Sequence, residues 1–191
     1  MAIIRRPPPP ESVQAFEADR ARPRRLPPSR QPAARSESLP AAPEAWPRYS
    51  VAAADLAQFR PLADAAVLES WSFFVSEGGA LSVAEVGPAS GSARVRRWSY
   101  GPINDEMLEL AEGLPGSEAL GGDNHELRIL TVPALCLSAL WLRNEGQGRS
   151  VVVPLAPTGG SLEPRRAYSE EDFVSILAPL AARRLARPDP T

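Results

Sequence analysis

The residues of this chain best suited to nucleophilic chemistry are its one histidine and its one cysteine, because a cysteine activated by a nearby histidine is a common catalytic pair. His125 and Cys136 are 11 positions apart. On an extended strand this separation is about 35 Å, from a rise of roughly 3.3 Å per residue, so pairing requires the chain to fold back at Pro133. We therefore expect no dyad, with Cys136 as a small buried side chain and His125 in a loop or at the start of a strand.

Carboxylates offer a second chemistry, general acid–base catalysis, which requires groups that converge on one point. Four acidic residues lie near predicted strand ends: Glu85, Asp105, Asp123 and Glu126. Their spacing gives no sign of convergence. An enzyme or small-ligand-binding domain that uses carboxylates is therefore the second alternative for function.

Missing residue types exclude several classes of enzyme. All 21 basic residues are arginine, and the chain contains no lysine. This excludes a phosphate-binding loop of the G-x-x-x-x-G-K type, a Schiff-base lysine and a lysine general base. The sequence also lacks G-x-S-x-G, H-E-x-x-H and C-x-x-C motifs, and one histidine with one cysteine does not make a zinc site. We predict no catalytic residues, no cofactor and no metal.

Composition divides the chain near Tyr49. Residues 1–48 hold 11 prolines, nine arginines and five acidic residues, with few large apolar side chains. Such a mixture does not bury enough surface to offset the entropy of ordering. The sequence predicts a disordered Pro/Arg-rich arm over 1–48, a globular domain over 49–187 and a disordered tail over 188–191. The arm carries a net charge of +4 and the rest of the chain −6, so the two parts have opposite signs.

Three interpretations of the arm stay open: a solvated leader whose arginines and prolines reflect genomic bias, a tether that docks on another protein, and a segment that contacts phosphates. The tether interpretation rests on four residues in the R-x-L-P-P order that proline-binding grooves recognise: Arg24, Leu26, Pro27 and Pro28. Contact with nucleic acid is disfavoured, because the arm has no interleaved aromatics for base stacking and the body is acidic.

Three further residues are candidates for partner binding. A short helix over 11–22 would carry Val13 and Phe16 on one side. Trp46, beside Pro47 at the end of the arm, is placed to pin the arm to the body. We therefore expect these side chains to make contacts outside the main core.

From Tyr49 onward the sequence predicts a single α+β domain. Helical spacing of apolar residues marks three regions, near 50–70, 102–114 and 169–187, with Pro102 and Ser169 as start signals for the last two. Strand-like runs lie between them at 70–76, 80–86, 93–100, 126–132, 134–143 and 149–157. The predicted order is α-βββ-α-βββ-α, a mainly antiparallel sheet with helices packed on it. The first helical region is expected to bury five apolar side chains: Leu56, Phe59, Leu62, Ala66 and Leu68.

The most apolar passage, 129–142, contains 14 residues without a charge. A helix needs about 20 residues to span a bilayer, so we predict no membrane span. A buried helix that begins at Pro133 stays an alternative, although Val132 at its cap position has no side-chain acceptor. Because the turn-rich pentad 144–148 separates two strand-like runs, we favour a hairpin, with Pro133 at a break before it.

The predicted order of elements resembles that of the small α+β chaperones of secretion systems, which form acidic dimers. The resemblance implies a homodimer that binds an unfolded segment of another protein. It covers the predicted domain, and a Pro/Arg-rich leader is not part of the pattern.

These observations predict a non-enzymatic protein-interaction or assembly module with a flexible basic tether, and a chaperone-like dimer is the first alternative. The expected partner is another protein, a second copy of the chain being one candidate, and neither nucleic acid nor a membrane is expected. A secretory signal needs an apolar stretch of about 7 to 15 residues, which the N-terminus lacks. With its lone cysteine, the chain is expected in the cytoplasm.

Overall fold

A computed structural model of the chain describes residues 3–22, 43–77, 80–87, 93–114, 120, 123–146 and 148–187. Within these ranges the protein is α+β, with a mainly antiparallel nine-stranded sheet and five α-helices. The strands are β1 (Ile3–Ile4), β2 (Glu44–Ser50), β3 (Val67–Glu77), β4 (Ala80–Val86), β5 (Val95–Tyr100), β6 (His125–Val132), β7 (Leu137–Asn144), β8 (Val151–Pro154) and β9 (Tyr168–Ser169). The helices are α1 (Pro10–Arg20), α2 (Ala53–Ala57), α3 (Leu62–Ala65), α4 (Pro102–Gly113) and α5 (Glu170–Leu185).

The strand order is β5-β4-β3-β2-β6-β7-β8-β9. β6 runs parallel to β2 along Ile129–Thr131 and parallel to β1 at His125 and Glu126. All other neighbouring strands are antiparallel. Two antiparallel units, β2–β5 and β6–β9, therefore meet along the parallel β2–β6 junction.

Helices cover both faces of the sheet. On one face, α2, α3 and α5 pack on an apolar cluster that includes Leu56, Trp141 and Phe173. On the same face α1 packs through Phe16, which stacks on Phe73 with the ring centroids 4.5 Å apart. On the opposite face α4 packs on a third cluster. The faces follow from the register, since directly paired residues on neighbouring strands share a face.

The described part of the predicted arm is folded, which corrects the expectation of disorder for residues 3–22 and 43–48. Three elements lie there: β1, α1 and β2. The prediction of disorder from composition failed because a few large side chains are enough to hold short elements on an existing sheet. Phe16 is 2% exposed and Trp46, against Phe74, is 1% exposed. The R-x-L-P-P residues and the predicted tail over 188–191 lie outside the described residues.

The hairpin prediction for the apolar passage is confirmed. β7 and β8, on either side of the turn-rich pentad, pair antiparallel from Ala139↔Pro154 to Leu142↔Val151. β6 also pairs with β7, from His125↔Asn144 to Val132↔Leu137, so strands form on both sides of Pro133. Pro133 opens a short 3₁₀ turn, Pro133–Leu135, where its missing N–H leaves no ladder bond unmade. No helix within the described ranges is long and apolar enough to cross a membrane.

The start of α5 is also confirmed. The Ser169 side chain accepts a hydrogen bond from the backbone N–H of Asp172 at 3.0 Å. The helix continues past Pro179 to Leu185, within the helical region predicted near 169–187. Leu177 and Ala181, buried on either side of the proline, hold the helix against the sheet and offset the one lost hydrogen bond.

Phe59, expected in the core, is 61% exposed. It follows the C-cap of α2 in the left-handed region, with φ 55°. The Phe59 and Arg60 N–H groups donate to the carbonyls of Leu56 and Asp55, the Schellman pattern in which glycine usually holds this position. The left-handed residue turns the chain away from the core, so the aromatic ring points outward.

Candidate functional site

On the face that carries α4, part of the sheet lies beyond the apolar cluster under that helix, and its side chains are polar. Cross-strand register brings them together: Arg48 pairs with Ser70, and Glu85 pairs with Ser72 on one side and Arg97 on the other. These residues surround an open cavity of about 330 Å³ that we call the polar depression. Its lining consists of Arg48, Glu69, Glu85, Arg97, Thr131, Pro133, Cys136, Leu137 and Ser138.

Arg48 lies in β2 beside the β2–β6 junction and is only 8% exposed. Its Nε–H donates to Ser72 Oγ at 3.1 Å. Within the described residues this is the one side-chain hydrogen bond of Arg48, so the terminal amino groups have no acceptor there. Burial lowers the pKa of Arg48 from its ordinary value, and the carboxylate of Glu85 opposes this effect. An arginine keeps its charge despite such a shift, so a buried cation lines the depression.

Glu85 forms the acidic part of the wall. Its Oε1 accepts from Ser70 Oγ at 3.2 Å, and its Oε2 accepts from Arg97 Nε at 2.8 Å. The Glu85 side chain is 14% exposed, whereas that of Arg97 is 64% exposed and forms the rim. With Glu69, the depression contains two cations and two anions. The charges of the lining therefore cancel, although the terminal amino groups of Arg48 have no acceptor among the described residues.

The structure separates the two residues considered as a catalytic dyad. His125 begins β6, and its ring nitrogens lie 3.3 Å from the Asp123 carbonyl and 3.1 Å from the Arg149 carbonyl. Cys136 follows the 3₁₀ turn at the other end of the β6–β7 hairpin, with φ 50°. The cysteine is exposed, which corrects the expectation of a buried side chain. Cys136 is itself the left-handed residue of the turn between two strands, and this turn offers no core position.

The four candidate carboxylates do not converge. Glu85 lines the depression, whereas Asp105 lies in the first turn of α4. Asp123 accepts a hydrogen bond from Asn144 Nδ2 at 3.1 Å near the far end of the hairpin. Glu126 is buried on the opposite face of the sheet. Of the four carboxylates chosen for their position near strand ends, Glu85 lines the depression, and the other three lie elsewhere in the fold.

Three of the predicted partner-binding residues make contacts inside the chain. Phe16 and Trp46 are buried, and Val13 is half-buried against the cluster under α1. In this structure the rings of Phe16 and Trp46 are not available to a partner, because α1 and β2 use them to hold the sheet. The R-x-L-P-P residues stay a prediction.

A second buried arginine lies close to Arg48 but on the other face. Arg128 pairs with Glu126, and both side chains are 4% exposed. The guanidinium carbon lies 4.5 Å from the Tyr49 ring centroid and 4.8 Å from that of Trp141. Two buried atoms of the pair, Arg128 Nε and Glu126 Oε1, have no hydrogen-bond partner. Because both side chains are buried among the described residues, we assign the pair to the core.

Sequence reasoning missed Arg48, Glu69 and Arg97. Arg48 belongs to a stretch interpreted as an arm, so its strand and its neighbours were not considered. The alternation of Arg97 with Arg96 and Trp98 predicted a strand but not its position beside β4. A signal was present in the polar residues Ser70, Ser72 and Glu85, which alternate with apolar ones and mark a half-buried face.

Metal-binding chemistry has no support in the described part of the chain, where no group of three or more histidine, cysteine or acidic side chains is placed to hold an ion. Comparisons with protein-family models, curated proteins and solved structures give no match. The function is therefore inferred from the geometry of the polar depression and its rim.

Proposed function

We propose that this protein is a non-enzymatic protein-interaction or assembly module, and that the polar depression with the adjoining β5 edge is its contact surface. The observation that carries this proposal is Arg48, a cation more than nine-tenths buried whose terminal amino groups lack acceptors within the described residues. A charged donor that faces a cavity forms strong hydrogen bonds with an acceptor that a partner supplies. Arginine is also among the residues that most often dominate protein interfaces.

The charge around the depression indicates an acidic partner segment. From Ala93 to Tyr100 the chain carries three arginines, at 94, 96 and 97, and no acidic residue. All three arginines are exposed. The chain from Tyr49 to its end has a net charge of −6, so this basic strip contrasts with its surroundings. Complementary charge of this kind steers a partner and fixes its orientation.

Strand addition gives such a segment a way to bind. β5 is at one end of the sheet, and within the described residues β4 is its single neighbour. The free edge of a strand presents N–H and C=O groups that an extended peptide satisfies. We therefore favour an extended acidic segment along β5 that reaches the depression at Arg97.

The homodimer implied by the resemblance to secretion chaperones stays an alternative. Self-pairing of two β5 edges would bring the arginines of both copies together, and like charges on paired strands are destabilising. A dimer through β5 is therefore disfavoured, and we expect a monomer in sizing experiments at physiological salt. A dimer whose formation is lost in an Arg96→Glu variant would contradict this expectation.

An enzyme or small-ligand site is the second alternative, and one observation favours it. Cys136 shares the depression with Glu69 and Glu85, so a thiol and two carboxylates line one cavity. If the cysteine serves chemistry, Cys136→Ser abolishes the function in cells. We expect this variant to retain it, because Cys136 lies on an exposed turn with no histidine beside it.

The proposal also includes the tether, whose expected contact with a partner rests on the R-x-L-P-P residues. Alanine at Arg24, Leu26, Pro27 and Pro28 together is expected to weaken partner recovery without a change in the thermal midpoint. Recovery equal to that of the unmodified chain would remove the tether and leave the depression as the single contact surface.

Site-specific photo-crosslinking in cells tests the contact surface directly. A photoreactive residue replaces Ser138, inside the depression, and in a matched control it replaces Arg183 on the exposed side of α5. We expect a discrete protein adduct from position 138 and none from position 183. No adduct at position 138, or the same adducts from both positions, would contradict the proposed surface.

A further inference from the structure

We propose that the polar depression binds a carboxylate group, which pairs with the guanidinium of Arg48 and accepts a hydrogen bond from Ser138. This inference rests on the proposed function and specifies its chemistry: the carboxylate belongs to an acidic side chain of the partner. A free small organic acid offers the same group, so the experiment below separates the two sources.

The donors of Arg48 are placed for this role. A guanidinium has five N–H donors in a planar fork that matches both oxygens of a carboxylate. Ser72 Oγ accepts the Nε–H of Arg48, and the described residues provide no acceptor for the remaining four donors. Arg48 is more than nine-tenths buried as a residue and lines the open cavity, so these donors are accessible to a ligand from the cavity side. A bound carboxylate would satisfy two of these donors at once.

Ser138 supplies the second contact. Both Thr131 and Ser138 line the depression and are paired across β6 and β7. The Thr131 hydroxyl already donates to the Tyr49 carbonyl at 3.1 Å, so it has no hydrogen left for a ligand. The Ser138 hydroxyl makes no hydrogen bond to the described residues and is half-buried. It is therefore the hydroxyl of this pair that is available to donate.

The remaining lining decides between a carboxylate and a phosphate. Glu69 and Glu85 balance the two arginines, so the empty site is neutral. A single negative charge shared with Arg48 is tolerated in such surroundings, but a dianion is repelled by both glutamates. Pro133 adds an apolar part of the wall that suits the carbon stem of an acidic residue. The lining thus favours one carboxylate on an aliphatic stem.

Amide chemical-shift titration of the unmodified full-length protein tests the inference without any substitution. The probes are sodium acetate, sodium phosphate and a blocked tripeptide with a central glutamate, each at constant ionic strength and compared with sodium chloride. We expect saturable shifts at Arg48 and Ser138 with acetate and with the glutamate peptide. The matched glutamine peptide and phosphate are expected to cause none.

The affinities of acetate and of the glutamate peptide distinguish a free organic acid from a partner's side chain as the source of the carboxylate. If the group belongs to a polypeptide, the glutamate peptide binds at least about tenfold more tightly than acetate, a difference of about 1.4 kcal/mol. Acetate binding as tight as peptide binding would assign the site to a free acid and overturn the partner-side-chain assignment. No saturable shift with either probe, or equal binding of phosphate, would overturn carboxylate recognition altogether.

Variants then assign the contacts. Arg48→Gln is expected to abolish the acetate shifts. Ser138→Ala is expected to weaken binding about tenfold, a loss of about 1.4 kcal/mol, near the lower end of what a hydrogen bond to a charged group contributes. Arg183→Gln, outside the depression, is the control and should bind normally. Because Ser138 is half-buried, we expect its alanine variant to fold. This variant therefore tests the inference even if Arg48→Gln does not fold.

The same variants distinguish failure of this inference from failure of the proposed function. If a partner crosslinks at a photoreactive residue in position 138 whether position 48 holds arginine or glutamine, the contact surface stands and the carboxylate contact is wrong. If acetate binds but no partner crosslinks at position 138, the carboxylate site stands and the protein-interaction function is wrong.

Discussion

Arg48 and Arg128 are both more than nine-tenths buried, and they lie almost side by side at the β2–β6 junction, where Arg48 pairs with Ile129. They project from opposite faces of the sheet. Arg128 has a carboxylate partner and two aromatic rings around its guanidinium, whereas Arg48 has one hydroxyl. On one face the buried charge is neutralised by a carboxylate, and we call this the complete site. On the other face the charge of Arg48 has no ion-pair partner among the described residues, and we call this the incomplete site. A buried charge without such a partner beside a cavity indicates a binding site.

The largest expected effect comes from breaking the complete site. Arg128→Met leaves Glu126 buried without its counter-charge, which should reduce the free energy of unfolding by about 3–5 kcal/mol. Guanidinium chloride unfolding measures the change. The double variant with Glu126→Leu is expected to recover most of the loss, since replacing both members of a buried ion pair is often neutral. A single-variant loss under about 1 kcal/mol would show that the pair is not a core feature.

The second-largest loss of stability is expected from the aromatic contacts of Arg128. Tyr49→Leu removes one of the two rings and should reduce the free energy of unfolding by about 2 kcal/mol, the scale of a desolvated cation–π contact. Arg166→Gln is the control, because it removes the exposed cation that contacts the Tyr168 ring at 5.4 Å and should lose about 0.5–1 kcal/mol. Equal losses in the two variants would mean that burial adds nothing to the Arg128 contact.

A smaller effect is expected from the incomplete site. Arg48→Met removes a buried cation that lacks acceptors, so we expect the free energy of unfolding to change by less than about 1 kcal/mol in either direction. Chemical unfolding beside Arg128→Met gives the comparison in one experiment. A loss as large as that of Arg128→Met would indicate that Arg48 is held by the fold and not kept for a ligand.

The smallest change is expected at the rim. Arg97 donates to Glu85, but its side chain is 64% exposed, so solvent screens the pair. Arg97→Gln should reduce the free energy of unfolding by no more than about 1 kcal/mol. Partner binding should weaken more steeply with added salt in the unmodified chain than in the variant. An identical salt dependence would exclude Arg97 from the interface.

Much of the domain fold was predictable from local patterns. The β-rich run that includes Trp71, Phe73 and Phe74 marked β3, and the Ser169 cap marked the start of α5. These signals are local, because one strand face or one helix end carries them. The sheet order required the parallel β2–β6 contact, which joins residues about 80 positions apart and leaves no local trace.

The candidate site was harder to predict for the same reason. β2 was assigned to the arm because of its composition. It includes Pro47, but the pairing with β6 begins only at Arg48, so the missing N–H is tolerated. Once β2 was assigned to an arm, Arg48 could not be placed beside Ser72 or Glu85. The predicted partner-binding residue Trp46 was buried by the same strand.

The most direct test compares the two buried arginines in one spectrum. The guanidinium N–H signals of the unmodified protein are recorded while the blocked glutamate tripeptide is added at constant ionic strength. We predict that the Arg48 signals shift and saturate while those of Arg128 stay unchanged. Unchanged Arg48 signals, or equal shifts of both arginines, would contradict the conclusion that Arg48 is open to a ligand and Arg128 belongs to the core.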